Sequence, residues 1–423
     1  MAGLSMLRVV SNDDMVKAEE AKIRSDMEER QNSELILGLA AHVKSCWNPA
    51  RIAKKPIETI MLRALRQRNG EYEADKLSQI KAQGGSEVYM MITEVKCRGA
   101  ESWLRDILLD TGSPPWDLTP TPIPDLGPEQ EEKIKNIFAQ SVIKVLESSG
   151  QAPTIEEMAE LEEVAAQDFR FAVLQEAQNR ADKMKLKISD QFAQGGWADA
   201  FDEFITDMVT YPSAFIKGPV VRRQRVLGYS RASDGTTIVE GTERLGPEYE
   251  RVNPFNIYPE PGITHINEGY IFEHHPMSRS QLADLIGVPG YDEDAVREVL
   301  KIGNGQSWIN EDTKLQEEEQ ERKYYSYESP TETFDALEFW GKVSGKMLLD
   351  WGLSEEDIPD PAKEYDANVW VVGNYVIKAL LNYDPLGEKP YVKTSFIKAP
   401  GAFWGKGIPE IIEDLQNVCN AAA

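Results

Sequence analysis

The sequence predicts an α+β protein, with a helical front half followed by a mixed α+β region. Three observations carry that expectation. Apolar residues recur at helical spacing through residues 14–110 and again from about 129 to 211. From Pro212 onward, short β-rich runs alternate with turn signals. The final stretch, "SFIKAPGAFWGKGIPEIIEDLQNVCNAAA" (Ser395–Ala423), passes through a loop rich in Gly, Pro and aromatics and returns to helical spacing.

In chain order, "SELILGLAAHVKSCW", "PIETIMLRALRQR" and "SEVYMMITEVKCRGAESWLRDILLD" read as helices, with breaks expected at "NPARIAKKP", "NGEY" and "AQGG". Thr111–Gln130 is Pro-rich without an apolar period, an extended arm or linker. A helix is expected over about Glu129–Ser148. Another begins at Thr154, where "TIEE" forms a capping box with Glu157. It continues for about 40 residues, or some 60 Å, until Gly195–Gly196 stops it. Such a length suits long bundles and extended assemblies. "WADAFDEFITDMVTY" is a further amphipathic helix.

"AFIKGPVVRRQRVLGYS" and "TTIVEGTERL" read as strands joined at "ASDG". "YERVNPFNIYPEPG" is extended. Ser278 with Gln281 caps a helix in "MSRSQLADLIGV", and "YDEDAVREVLKIG" is another. "EDTKLQEEEQERK" reads as a solvated helix or loop. "DALEFWGKV", "ANVWVV" and "YVIKALLN" are strands, the last two joined by a tight turn at Gly373–Asn374.

In the last helix Ile408, Ile411, Ile412, Leu415, Val418, Cys419 and Ala422 form one apolar face, and Glu410, Glu413, Asp414, Gln416, Asn417 and Asn420 take the other. Pro409 suits the first turn, where its missing N–H is not needed. Early acids complement the helix dipole. No capping Gly, Asn or Pro follows, which raises the expectation that the chain continues past Ala423.

The net charge of −25 is unevenly placed. Residues 1–110 carry 17 basic and 17 acidic residues, so the whole excess falls after residue 110. Such a balance argues against a protein that grips nucleic acid by neutralising phosphates, though not against one that DNA passes through. Cys46, Cys97 and Cys419 are far apart and suggest no disulfide framework; reduced thiols in a cytoplasmic setting are expected. No run approaches the roughly 18 apolar residues of a membrane span.

"GAFWGK" only superficially resembles a phosphate loop. The spacing is one residue short, Gly407 stands where a hydroxyl is required, and Phe403 and Trp404 would block backbone approach. The structural alternative is a tight path allowed by Gly401, Gly405 and Gly407 and anchored by the two aromatics. In "EHHP", His274 and His275 point to opposite faces of a strand and do not share an ion. No metal or cofactor motif is present, and with 71 carboxylates no catalytic pair stands out by eye. "KGPVVRRQR" is the one compact basic cluster after residue 110. Its Lys217, Arg222, Arg223 and Arg225 are candidate contacts to DNA or an acidic neighbour. The competing reading is a charged strand edge that discourages aggregation. "KYYSYESP" suits packing better than base stacking.

The closing segment resembles the portal (head-to-tail connector) proteins of short-tailed bacteriophages. They carry a Pro-led strand, a "pG-x-fWG-x-G-x-P" loop and a helix with "DLQ…N". The matching residues are Pro400, Gly401, Phe403, Trp404, Gly405, Gly407, Pro409, Asp414, Leu415, Gln416 and Asn420. Upstream and in the same order, "WADAFDEFITDMVTYPSAFIKGPVVRR" resembles the family's helix–strand entry, "VNPFNIYPEPG" its "v-x-P-f-x-y-P-x-P" segment, and "LEFWGKVSGKMLLDWG" a strand pair. The resemblance spans about Trp197–Ala423.

It implies a closed ring of about a dozen subunits at one capsid vertex. Double-stranded DNA passes through its channel, and the terminase motor, major capsid protein, tail adaptor and ejection proteins dock on it. The location would be the virion, with host cytoplasm during assembly, no catalysis and no membrane. On this reading 1–110 is an N-terminal helical region, 111–130 an arm, 131–254 a wing and 255–395 a mixed wing, stem and clip region. Residues 396–423 start a stem helix held at its base by Phe403 and Trp404, its polar face toward a neighbour or the channel, and the crown or barrel part lies beyond the last residue. Two alternatives remain open. One is another scaffolding protein of a large assembly, which would form filaments or open oligomers. The other is a carboxylate-dependent hydrolase, which would show a deep pocket with two carboxyl groups about 5–10 Å apart.

Overall fold

The computed structural model describes residues 12–109, 116–120, 155–231, 237–302 and 333–422, with isolated positions within 136–143 and 314–320. The protein is mixed α+β with antiparallel sheets. It divides into two compact units. One comprises Met1–Trp103, Ala200–Pro219 and Glu250–Ala423, the other Leu104–Asp199 and Val220–Tyr249. The expected helix at Glu129–Ser148, the charge-dense 311–323 and "KYYSYESP" lie largely or wholly outside the described residues.

Helix α1 (Asn12–Asn69) runs through both Pro49 and Pro56, where a break was expected. An interior proline costs about 3 kcal/mol in an isolated helix. Here tertiary packing offsets it. Leu39, Ala40, Val43 and Trp47 are buried before the prolines, Ala50 between them, and Met61, Leu62 and Leu65 after them. Between them Lys54 is buried and donates to the carbonyls of Pro254 (2.8 Å) and Phe255, its ammonium lying over the Tyr258 ring. Burial brings its pKa down to about 7.

The helix stops at Asn69, and Gly70 follows with φ +75°, as "NGEY" predicts. After α2 (Ala74–Ala82), helix α3 starts only at Ile92 (Ile92–Leu108), later than its periodicity suggests. The backbone of Met90 is engaged elsewhere: its N–H donates to Asn420 and its carbonyl accepts from Gln416.

Strands β3 (Ile257–Pro259), β4 (Ile271–Ser278), β5 (Thr333–Ser344), β6 (Glu364–Val372) and β7 (Tyr375–Leu381) form a five-stranded antiparallel meander. Gly373, at φ +60°, makes the expected turn between the last two. One face of this sheet buries Phe272, Leu337, Phe339, Val369 and Val371 against Trp47 and its neighbours on α1. Helix α8 (Gly345–Trp351) adds Leu348 to that core and ends at Gly352 in the left-handed region. It replaces the second strand expected in "LEFWGKVSGKMLLDWG", and in helical form it buries Leu348 in the core shared with α1.

The other face packs at one end against α6 (Arg279–Ala283) and α7 (Glu293–Ile302) through Leu282, Val296, Ala336, Val372 and Ile377. The Ser278–Gln281 capping box is present in both directions. At its other end this face packs Ile257 and Ile271 against Phe215, Tyr391 and Phe403. Phe215 and Tyr391 come from a second sheet ordered β2-β1-β8, with β1 at Ala214–Arg231, β2 at Thr237–Val252 and β8 at Tyr391–Thr394, and Phe403 from the loop after β8.

In the other unit, helix α4 (Ile155–Gln194) has the 40 residues expected. It ends where Gly195 accepts the Tyr249 N–H at 2.9 Å. Phe192 sits among Trp116, Trp197 and Tyr249, with ring centroids 5.2–5.8 Å away. Helix α5 (Trp197–Thr210) follows, and from Ala200 onward it belongs to the first unit. In the arm, Asp117 pairs with Lys185 at 2.7 Å; 111–115 and 121–130 lie outside the described residues.

Candidate functional site

The C-terminal loop is closed by a two-way bridge between Ile397 and Lys406 (3.1 and 2.9 Å). Its base is tied to β1, because β8 pairs antiparallel with Ala214–Lys217 and Gly405 N–H donates to Pro212 O at 3.1 Å. Phe403 is buried and lies nearly parallel to Phe215 at 6.1 Å. Trp404 meets Phe215 edge-on at 5.7 Å and is only half-buried, touching both the Phe215 cluster and the Met61–Tyr211–Phe255 cluster. Lys393 stands over the Phe403 ring at 3.9 Å.

A side chain at Gly405 would place its Cβ 2.3 Å from Ile397 O, and at Gly407 2.6 Å from Thr210 O. Both glycines are therefore fixed by backbone approach. Gly401 sits at the loop's turn. Gly407 is the N-cap of α9 (Ile408–Ile411), with Pro409 buried in its first turn. The loop thus positions α9 and α10 (Glu413–Ala422) through close backbone contacts and one buried ring.

The face that α10 buries is the reverse of the one its periodicity predicts. Gln416 is 1% exposed. Its Oε1 accepts from Thr93 N–H (3.1 Å) and Thr93 Oγ1 (2.9 Å), and its Nε2 donates to Met90 O and to Asn420 Oδ1 (2.9 Å). Asn420 Oδ1 also accepts from Met90 N–H at 2.9 Å. Gln67 on α1 extends the ladder by donating to Thr93 at 2.8 Å. The apolar Leu415 and Val418, 54% and 66% exposed, face outward, as does Ile411 at the end of α9, 44% exposed. Gln416 and Asn420, expected to face a neighbour or a channel, instead hold the helix to its own subunit.

The basic cluster divides. Lys217 is buried, and this corrects its assignment to an outer contact surface. Arg222 is exposed and pairs with Glu248 at 3.4 Å. The side chains of Arg223 and Arg225 lie outside the described residues.

Lys217 belongs to a charged seam between the two sheets. Its Nζ lies 2.6 Å from both Glu273 on β4 and Glu338 on β5, which stand directly opposite each other in the ladder. His275 Nε2 donates to the same Glu338 oxygen at 2.8 Å and lies 3.5 Å from Glu273. The other Glu338 oxygen accepts from Trp340 Nε1 (2.7 Å) and Asn368 Nδ2 (3.0 Å), and Tyr391 donates to Glu273 at 2.6 Å. His275 stacks on Trp370 at 4.6 Å.

Burial opposes every charge here, but mutual attraction outweighs it. Glu273 and Glu338 hold the Lys217 pKa well above its usual value. Lys217 and then His275 draw Glu273 below the carboxylate range, and the same two groups depress Glu338. Against its own burial, Glu273 and the two carboxylate hydrogen bonds push His275 up to about 9. His274, on the opposite face as expected, is buried beside Asp335 (3.2 Å), and burial lowers its pKa.

Glu273, His275 and Glu338 are the right residue types for a divalent cation, and their ligand atoms lie within 4.8 Å of one another. Lys217 Nζ already stands in the cation position, so two cations balance two carboxylates without an ion. General acid–base work needs one carboxyl raised beside one ionised, and Lys217 and His275 pull both of these downward. The sequence signal for the seam was charge inside apolar strands, in "AFIKGP", "YIFEHHP" and "ALEFWG".

Compared with known proteins, the chain matches no family model and no curated protein. Among the described residues, no helix is long and apolar enough to cross a membrane.

Proposed function

We propose that this chain is a subunit of a phage portal, a ring of about a dozen copies through which double-stranded DNA is packaged and ejected. The observation that carries the reading is the Pro400–Asn420 segment, last of the ordered segments that resemble the family. In the structure its glycines and Phe403 form a rigid base, and the helix they aim turns an apolar stripe outward, as an assembly subunit requires.

On this reading 131–254 belongs to the wing, 255–395 to the wing, stem and clip, and 396–423 opens the stem. The terminase motor, capsid protein, tail adaptor and ejection proteins dock on the ring in the host cytoplasm and the virion. The acidic excess suits a channel that DNA slides through without being held.

Mass photometry and negative-stain imaging of the purified protein test the proposal. Closed rings with a central hole are expected. A compact monomer at assembly concentration refutes it.

A further inference from the structure

We propose that Lys54 is a proton-sensitive latch on a hinge in α1, and that the hinge sets how the second half of α1, with α10 attached, sits against the five-stranded sheet. The device lies within one subunit and does not depend on copies associating. Two prolines divide α1. Before Pro49, Leu39, Ala40, Val43 and Trp47 belong to the core against the sheet, together with Tyr258. After Pro56, Met61, Leu62 and Leu65 belong to a separate core with Tyr211 and Phe255. Neither proline has an N–H to give the preceding turn, so the helix is weakest where the two cores meet. The second half carries α10: Arg63 pairs with Glu413 at 3.2 Å, and Gln67 joins the Thr93–Gln416 ladder.

Lys54 closes the joint from between the prolines. Its amine reaches both cores at once, bonding the carbonyls of Pro254 and Phe255 while lying 3.8 Å from the centre of the Tyr258 ring. It is 1% exposed. The acids that face it are Glu58, which accepts from the Tyr258 hydroxyl at 3.2 Å, and Glu317, which accepts from Asn253 at 2.7 Å. Burial drives the proton off Lys54, and the attraction of Glu58 and Glu317 offsets only part of that. A neutral amine keeps two N–H groups, one for each carbonyl, so deprotonation leaves both satisfied. Latched, Lys54 titrates at about 7; opened to water it returns to 10.5. Opening therefore takes up a proton. Between these values acid favours the open hinge, and outside them pH has no effect. Burial keeps the Tyr258 phenol well above its usual 10, and nearby Arg51 stays charged, so neither titrates with the latch.

Hydrogen exchange of the full-length protein from pH 7 to 9, each rate divided by its intrinsic rate, reads the opening. In the wild type the opening constant at residues 57–62 and 255–258 should rise about fiftyfold from pH 9 to pH 7. Thr93 and Gln416 should show no such slope, because α10 travels with the second half. In Lys54→Gln, whose amide supplies two N–H groups and does not titrate, the slope should vanish; Lys54→Met takes its place if that variant misfolds. A wild-type constant that does not change with pH overturns the latch, as does a slope that survives the substitution. A slope shared by Thr93 and Gln416 overturns the hinge, since that half would then be unfolding and not pivoting.

Discussion

Replacing Lys217 with Met should destabilise the protein by about 3–5 kcal/mol, the usual result of removing one partner from a buried ionic group. The figure follows from the seam. Met keeps most of the bulk but removes the one group that lies 2.6 Å from both carboxylates. Glu273 and Glu338 are then a like-charge pair directly opposed in the ladder, a destabilising arrangement, with His275 the cation left in contact with both. Their side chains are 7% and 4% exposed, so water cannot take the place of the ammonium.

The pH dependence also changes sign. In the wild type both carboxyls have depressed pKa values. Their contribution is present above the ordinary carboxylate value of 4.5 and is lost as pH falls through the folded values. In the variant one carboxyl should rise above 4.5, so the destabilisation shrinks as acid protonates it. Urea unfolding from pH 4 to 8, with hydrogen exchange on β4 and β5, measures both effects. Combining Lys217→Met with Glu338→Gln should cost less than the sum of the two. A loss below about 1 kcal/mol at neutral pH, or one that does not diminish in acid, would refute the account of Lys217 as neutraliser.

Three further outcomes are expected. His275, raised to about 9, contributes stability that is fully present below its ordinary 6.5 and is lost as pH rises through 9. His275→Gln should remove this alkaline limb, on the order of 3 kcal/mol, from the stability–pH curve. Gly407→Ala forces a Cβ toward the backbone oxygens of Thr210 and Tyr211 and should cost about 1–3 kcal/mol in thermal unfolding. Gln416→Leu deprives Thr93 N–H of its partner and takes one of two donors from Met90 O, costs about 1–3 kcal/mol, and should speed hydrogen exchange at Thr93 and along α10 while β5 is unchanged.

Where local chemistry decides the structure, the sequence was readable. The Ser278–Gln281 box, the Gly373 turn, the stop at Gly195 and the seating of Pro409 each depend on residues a few positions apart. Contacts distant in the chain were not readable. Pro49 and Pro56 stay helical because α1 is clasped by residues some 200 positions later. Helix α3 starts late because Met90 is bonded to α10. Periodicity found the two faces of α10 but assigned the buried one wrongly, since it measures contrast and not direction. Lys217 read as a surface cation because its partners lie 56 and 121 residues away. Phe403 was legible as an anchor from its size and the glycines around it, whereas the half-exposure of Trp404 was not.

Helix α4 has a mechanical consequence. It is a rod of roughly 60 Å gripped at one end, where Phe192 is packed by Trp116, Trp197 and Tyr249 and the chain turns at Gly195. For a rod of this length, a pivot of about 10° at the aromatic socket would carry a tip about 60 Å away through about 10 Å. Repacking of a single ring at Phe192, an ångström-scale event, would thereby become a displacement as wide as a helix.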